Sequence, residues 1–257
     1  MAAPNETMLA LVLSKDGLLP EGEALSGAIR RHLPQAQSPE TSVAGGAAVF
    51  VVDGAIAAIG GVSEPAPIAK DDPCVAYAWH WPEAWPAIEG HAAHVVVAAT
   101  GGSNAKSRAH LLGRAVAAVI EATPAACAVH FAGSDALWPA AVVTDVVSKG
   151  GDEPPVPFCV AVALGRDPEG GVSAITKGLN AFGLMEIETR GYREDPRELN
   201  GFLLDLAGFL IESGDVLSDG DTIGPDADTK IIVRRETSVV APGQNVYRLY
   251  FPTQGHA

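Results

Sequence analysis

The stretch ITKGLNAFGLMEIETRGY, Ile175 to Tyr192, decides how the second half of this chain is read. It places Gly178 and Gly183 around two apolar residues, Leu179 and Phe182, and then alternates Met-Glu-Ile-Glu-Thr-Arg. Alternation of period two marks a strand with two unlike faces. Met185, Ile187 and Thr189 then share one face, and Glu186, Glu188 and Arg190 the other. The glycines approach the spacing of a phosphate-binding loop, but that loop ends in Gly-Lys-Ser/Thr and opens a helix. Gly183 is followed by Leu-Met and a strand, so the phosphate-loop reading fails. What remains is a tight connection. Gly178 ends one strand, Leu179 and Phe182 fill the core, and Gly183 takes a backbone angle that other residues resist.

Glu186 and Glu188, two apart on one strand face, lie roughly 6 to 7 Å from each other. Such a pair suits acid–base chemistry or a cation. The alternative is a solvated strand face with Arg190 as its counter-charge.

Beyond this strand, Asp195 can cap a helix that has Pro196 in its first position and Glu198 completing a capping box. Leu199, Phe202, Leu203, Leu206 and Leu210 form its buried face, and Gly214 ends it. Strands at Lys230 to Arg234 and Asn245 to Phe251 follow. Upstream, Phe158 to Leu164 and Gly171 to Lys177 read as two strands joined by GRDPEGG. GGDEPPVP, Gly150 to Pro157, is the candidate linker, because its three prolines continue neither helix nor strand. It divides the chain into 1–150 and 151–257, which pack either separately or as one domain.

In the first half, Met8 to Leu13 is a short apolar strand, buried on both faces, with a helix from about Glu23 to Leu33. Asp53-Gly54 lies between two apolar runs and predicts a type I′ hairpin. A short helix and an aromatic-lined loop carry Trp79, Trp81 and Trp85. His94 to Ala99 is a buried strand, and GGSN introduces a helix from about Ala105 to Ala122 whose stripe includes Leu111, Leu112, Ala115, Val116, Val119 and Ile120. A strand at Cys127 to Phe131 and a helix from about Ala136 to Ser148 complete the half. The fold class is α+β, mainly antiparallel, with helices packed on one side. Hairpin, helix and strand recur in both halves, so two ferredoxin-like units are one form it can take.

Composition narrows the function. Lys plus Arg number 17 against 31 Asp plus Glu, a net charge of −14, which disfavours nucleic acid and anionic membranes and suits a basic protein partner. Cys74, Cys127 and Cys159 are odd in number and far apart, and read as reduced core thiols. The N-terminal run lacks the basic flank and length of a signal sequence, and no window reaches the roughly 18 apolar residues of a membrane span. A cytoplasmic protein is expected.

The run TKGLNAFGLMEIE, Thr176 to Glu188, then the capped helix, then SDGDTIG at Ser218 to Gly224, resembles the bacterial domain-of-unknown-function family DUF4261. The resemblance covers about the last third of the chain. WPEAWPAIEGHAAHVVVAAT, upstream, is similar to what often precedes that motif. The family brings no assigned chemistry. Its members sit in bacterial genomes, sometimes near secretion and toxin genes, so the resemblance implies an immunity or secretion-associated accessory role.

Other constellations carry competing readings. Asp219, Asp221 and Thr222, with Asp215, Asp226 and Asp228 nearby, form an oxygen-rich loop that lacks EF-hand spacing. It reads as a turn, or as a lock in which Asp221 and Thr222 hydrogen-bond the Gly178–Gly183 connection. His91 and His94 point to opposite faces of a strand entrance, which disfavours shared metal ligation. Gly101, Gly102, Ser103 and Asn104 precede a helix, with Ser103 as its cap or as part of the opening turn. They can present N–H groups to an anion, helped by Lys106 and Arg108. No catalytic set, metal site or cofactor motif emerges. The leading expectation is therefore a protein that binds another protein. The competing one is an enzyme or small-ligand binder with a site between the Gly101–Ser107 loop and Glu186/Glu188. The Trp79/Trp81/Trp85 region is either core or a docking patch.

Overall fold

The computed structural model describes residues 7–42, 47–151, 153–168, 170–224 and 230–252, with 37–42 as backbone only. Asp226 and Asp228 lie outside the described residues. The chain forms two compact units, one ending at Cys159 and the other beginning at Val160. Among the described residues no helix is long and apolar enough to cross a membrane.

The first unit runs β1 (Thr7–Ser14), α1 (Gly22–His32), β2 (Gln37–Ser42), β3 (Ala47–Val52), β4 (Ala55–Val62), α2 (Pro73–Ala76), α3 (Ala84–Ile88), β5 (Ala93–Gly101), α4 (Ala105–Ala122), β6 (Ala126–Phe131), β7 (Ala136–Pro139), α5 (Ala140–Lys149) and α6 (Val156–Cys159). Its seven strands form one antiparallel sheet in the order β2-β3-β4-β5-β1-β6-β7. The apolar β1 lies near the middle because it has residues to bury on both sides. Ala10 and Val12 face one way with Val95, Val97 and Val129, all fully buried, and α4 packs on β1 and β5. Leu13 faces the other way into a second cluster with Cys74, Ala78, Ala84, Ile88 and Leu137. The expected hairpin forms at Asp53 (φ 48°) and Gly54 (φ 78°), the two positive angles of a type I′ turn.

β1, α1, β4, β5, α4 and β6 follow the β-α-β-β-α-β order, with spatial sequence β6-β1-β5-β4 and α1 against α4. This is the ferredoxin-like arrangement, elaborated by β2, β3 and β7. Three expectations need correction in this unit. Helices do not keep to one side, because α2 and α3 cover the Leu13 face. The Pro65 to Pro86 segment holds two short helices rather than one. Ala136 to Pro139 is a strand paired with β6, and the helix begins only at Ala140, past the proline that cannot continue a helical ladder.

The second unit runs β8 (Ala161–Arg166), β9 (Val172–Lys177), a 3₁₀ turn (Leu179–Phe182), β10 (Glu186–Tyr192), α7 (Pro196–Ser213), β11 (Thr222–Ile223), β12 (Ile231–Thr237) and β13 (Asn245–Tyr250). Phe158 and Cys159, expected to begin β8, belong to α6. The sheet order is β11-β12-β13-β10-β9-β8, with every pair antiparallel except β10 and β13, which run parallel. A parallel neighbour requires a crossover, and α7 lies within it. The ferredoxin-like order, antiparallel throughout, therefore does not extend to this unit. Asp195 caps α7 by accepting from Arg197 N at 2.8 Å. Leu199, Leu203, Leu206, Ala207, Leu210 and Ile211 are the buried stripe that packs on β8, β10 and the 3₁₀ turn, while Phe202 is half-buried.

Candidate functional site

Glu186 and Glu188 project from the face of β10 opposite Ile187 and Thr189, as alternation requires. Neither is solvated: Glu186 is 4% exposed and Glu188 fully buried. Glu186 closes the connection that precedes it. Its Oε2 accepts from Thr176 Oγ1 at 2.7 Å, and its Oε1 from Gly178 N at 2.9 Å and Asn180 N at 3.2 Å. Thr176 Oγ1 in turn accepts from Ile187 N at 2.8 Å. One carboxylate thus ties the end of β9, the 3₁₀ turn and the start of β10. Burial pushes the Glu186 carboxyl upward, opposed by the bonds from Thr176, Gly178 and Asn180.

The glycines that bracket this turn take positive angles, φ 127° at Gly178 and 76° at Gly183. No atom crowds a Cβ at Gly183, so backbone angle alone selects glycine there. Leu179 is fully buried and Leu184 nearly so, whereas Phe182, expected in the core, is half-buried.

Glu188 belongs to a different network. The parallel register sets it opposite Arg248 of β13, and Arg248 Nη2 lies 3.1 Å from Glu188 Oε1. Ser238 Oγ donates to Glu188 Oε2, and Val239 N donates to Oε1 at 3.3 Å. Arg248 also donates to Thr237 O at 3.0 Å and lies 3.3 Å from Glu236. Arg190 is not the counter-charge of the glutamates; it pairs with Asp167, whose Oδ2 accepts from Arg190 Nε at 3.0 Å and from Ser173 Oγ at 2.7 Å. Arg248 and Asp167 are the residues that sequence reasoning missed. The signal for Arg248 was a lone arginine in the otherwise apolar run VYRLY.

Asp219, Asp221 and Thr222 lie at the β11 and β12 edge of the sheet, three strands from β9. Asp221 Oδ2 accepts from Ser218 N, and Asp219 accepts from Arg234 Nη1 and Arg235 N. The hydrogen bonds from Arg235 N and Arg234 hold the Asp219 carboxyl below the usual carboxylate range. The expected lock onto the Gly178–Gly183 connection does not form; these acids brace their own turn and β12.

In the first unit, Gly101 (φ 70°) and Gly102 (φ 73°) turn the chain from β5 toward α4. A Cβ on Gly102 would stand 3.0 Å from Ala55 Cβ. Asn104, not Ser103, caps α4, accepting from Ser107 N at 2.8 Å, and Arg108 donates to Gly101 O at 3.1 Å. His91 accepts from Ala66 N through Nε2 and donates to Ile88 O through Nδ1, each at 2.8 Å, and His94 donates to Glu64 O. Among the described residues no three His, Cys, Asp or Glu side chains gather as a metal site would require. Trp81 and Trp85 pack on the Leu13 cluster, while Trp79 stays 36% exposed beside His80, whose ring lies 3.9 Å from that of Trp138. Burial pushes the His80 imidazole down.

Residues 175–250 match the model of a family described as a domain of unknown function, DUF4261. That span begins in β9 and ends with β13, so it takes in both glutamates, Arg248 and the 218–224 turn. No curated protein and no solved structure matches the chain.

Proposed function

We propose that this protein is cytoplasmic, that it acts by binding another protein, and that its partner is basic. The observation that carries the reading is Trp79, 36% exposed on a segment, Glu64 to Glu89, that holds five carboxylates and one lysine. Within that segment Glu64, Asp71, Glu83 and Glu89 are exposed. An aromatic anchor among like charges suits a partner that brings apolar contact and opposite charge together. The net charge of −14 extends the same preference over the whole chain. The most concrete version, drawn from the family resemblance, is an immunity or secretion-associated accessory protein that covers a basic toxin.

The enzyme reading asks Glu186 or Glu188 to exchange protons with a substrate. Both are buried, and all four of their carboxylate oxygens accept hydrogen bonds or ion pairs from their own chain. Affinity capture from the native cytoplasm, washed with rising salt, tests the proposal. The expected result is one stoichiometric basic protein released by salt and retained poorly by a Trp79→Ala, Glu83→Gln variant. Absence of any stoichiometric partner at every salt, or equal retention by that variant, overturns it.

A further inference from the structure

The second unit carries an arginine-lined hollow on an acidic chain. Asp167, Arg190, Gly191, Arg248, Leu249 and Tyr250 bound a cavity of about 210 Å³. A second, more open one of about 500 Å³ shares Asp167 and adds Arg166, Arg193, Glu194 and the backbone of Gly170 and Gly171. Four arginines, Arg166, Arg190, Arg193 and Arg248, line the two cavities together with the carboxylates of Asp167 and Glu194.

The arginines are held from behind. Asp167, its side chain 2% exposed, takes Arg190 through both Nε and Nη2, at 3.0 and 3.3 Å, while the Arg190 side chain remains 33% exposed. Glu188 and Thr237 O hold Arg248, whose side chain is 7% exposed. Arg248 Nε is buried without a hydrogen-bond partner among the described residues, its contact to Glu236 at 3.3 Å being an ion pair only. Buried carboxylates that fix guanidinium groups around a cavity preorganise it for an anion.

We propose that this hollow binds a phosphate group. A carboxylate carries one charge, and the Asp167–Arg190 pair shows that a single guanidinium already engages both its oxygens. Arg190 and Arg248 on the smaller cavity, with Arg166 and Arg193 on the one that adjoins it at Asp167, match the higher charge and the extra oxygens of a phosphate. The hollow uses residues of the second unit and the Trp79 surface residues of the first, so its failure leaves the partner-binding reading standing, and the reverse also holds.

The test is titration of the isotope-labelled full chain with inorganic phosphate, O-phosphoserine and acetate, followed by amide chemical shifts. Phosphate or the phosphomonoester should give saturable shifts at 166–172, 190–194 and 248–250. The difference between them tells whether free phosphate or an esterified group is preferred. Arg190→Gln should weaken binding about tenfold, the scale of one lost charge-assisted contact. The exposed pair Arg166→Ala, Arg193→Ala should weaken it several-fold with the fold intact, which keeps the test open if Arg190→Gln fails to fold. No saturable shift, shifts centred elsewhere, or acetate binding as tightly as phosphate overturns the proposal.

Discussion

Glu188 of β10 and Arg248 of β13 face each other across a parallel pair of strands, 3.1 Å apart, with Glu188 fully buried and Arg248 nearly so. The pair joins strands that lie far apart in sequence, and Ser238 and Val239 add the turn between β12 and β13 to the same carboxylate. Together with Glu186, it gives the Glu-x-Glu of the family-like motif a physical meaning: one acid closes the turn before the strand, and the other fixes the strand's parallel neighbour.

The closure at Glu186 predicts a particular pH dependence. Burial raises its folded-state pKa above the unfolded value, so the folded chain holds this proton more tightly than the unfolded one. Its contribution to stability is full below the unfolded pKa of about 4.3 and is lost as pH rises through the folded value. Glu186→Gln keeps an acceptor for Gly178 N and Asn180 N but cannot ionise. The stability of the wild type relative to this variant should therefore decline across that window, as read by urea denaturation at stepped pH. Amide exchange at Gly178 and Asn180 should stay slow in the variant.

Glycine is required at some turns for angle and at others for space. Gly171 has φ 89°, and a Cβ there would meet Tyr192 O at 2.5 Å. Gly90 has φ 74° with open space around it. Gly171→Ala should cost at least about 2 kcal/mol, angle and clash together, and Gly90→Ala about 1 kcal/mol. Denaturant midpoints followed by far-ultraviolet circular dichroism give the comparison.

The cap of α4 offers a simpler check. Asn104→Ala removes the acceptor for Ser107 N and should cost about 1 kcal/mol, while Asn104→Asp should hold to within about 0.5 kcal/mol. All four tryptophans lie in the first unit, so their fluorescence reports this change directly.

Buried thiols predict slow labelling. Burial, with Asp135 and Asp72 nearby, pushes the Cys74 thiol up to about 11, and its side chain lies inside the Leu13 cluster. A thiol reagent at neutral pH should modify Cys74 only as fast as the unit opens, and mass spectrometry of a labelling time course should show that lag.

Elements with a strong local pattern were legible from sequence: α4 from its stripe, α7 from Asp195-Pro196, and the Asp53-Gly54 hairpin. The strand character and facing of Glu186 and Glu188 followed from alternation alone. Their environment did not, because Arg248 is 60 residues away from Glu188 in sequence and only the parallel pairing of β10 with β13 brings it near. Ala136 to Pro139 misled for a related reason. Those residues join a helical run in composition, yet pairing with β6 outweighs local propensity. Ser103 lost the cap to Asn104 by one residue, because it is the Asn104 side chain that reaches Ser107 N.

The buried networks of Glu186 and Glu188 hold the fold together, and a double-mutant cycle on Glu188 and Arg248 tests this most directly. Urea denaturation of Glu188→Gln and Arg248→Met should each show a loss of about 3 to 5 kcal/mol, since each leaves its partner's polar group buried and unmatched. The double variant should lose less than the two combined, by about 1 to 3 kcal/mol of coupling. Single variants as stable as the wild type, with additive effects, would contradict the account and return Glu188 to the list of groups available for chemistry.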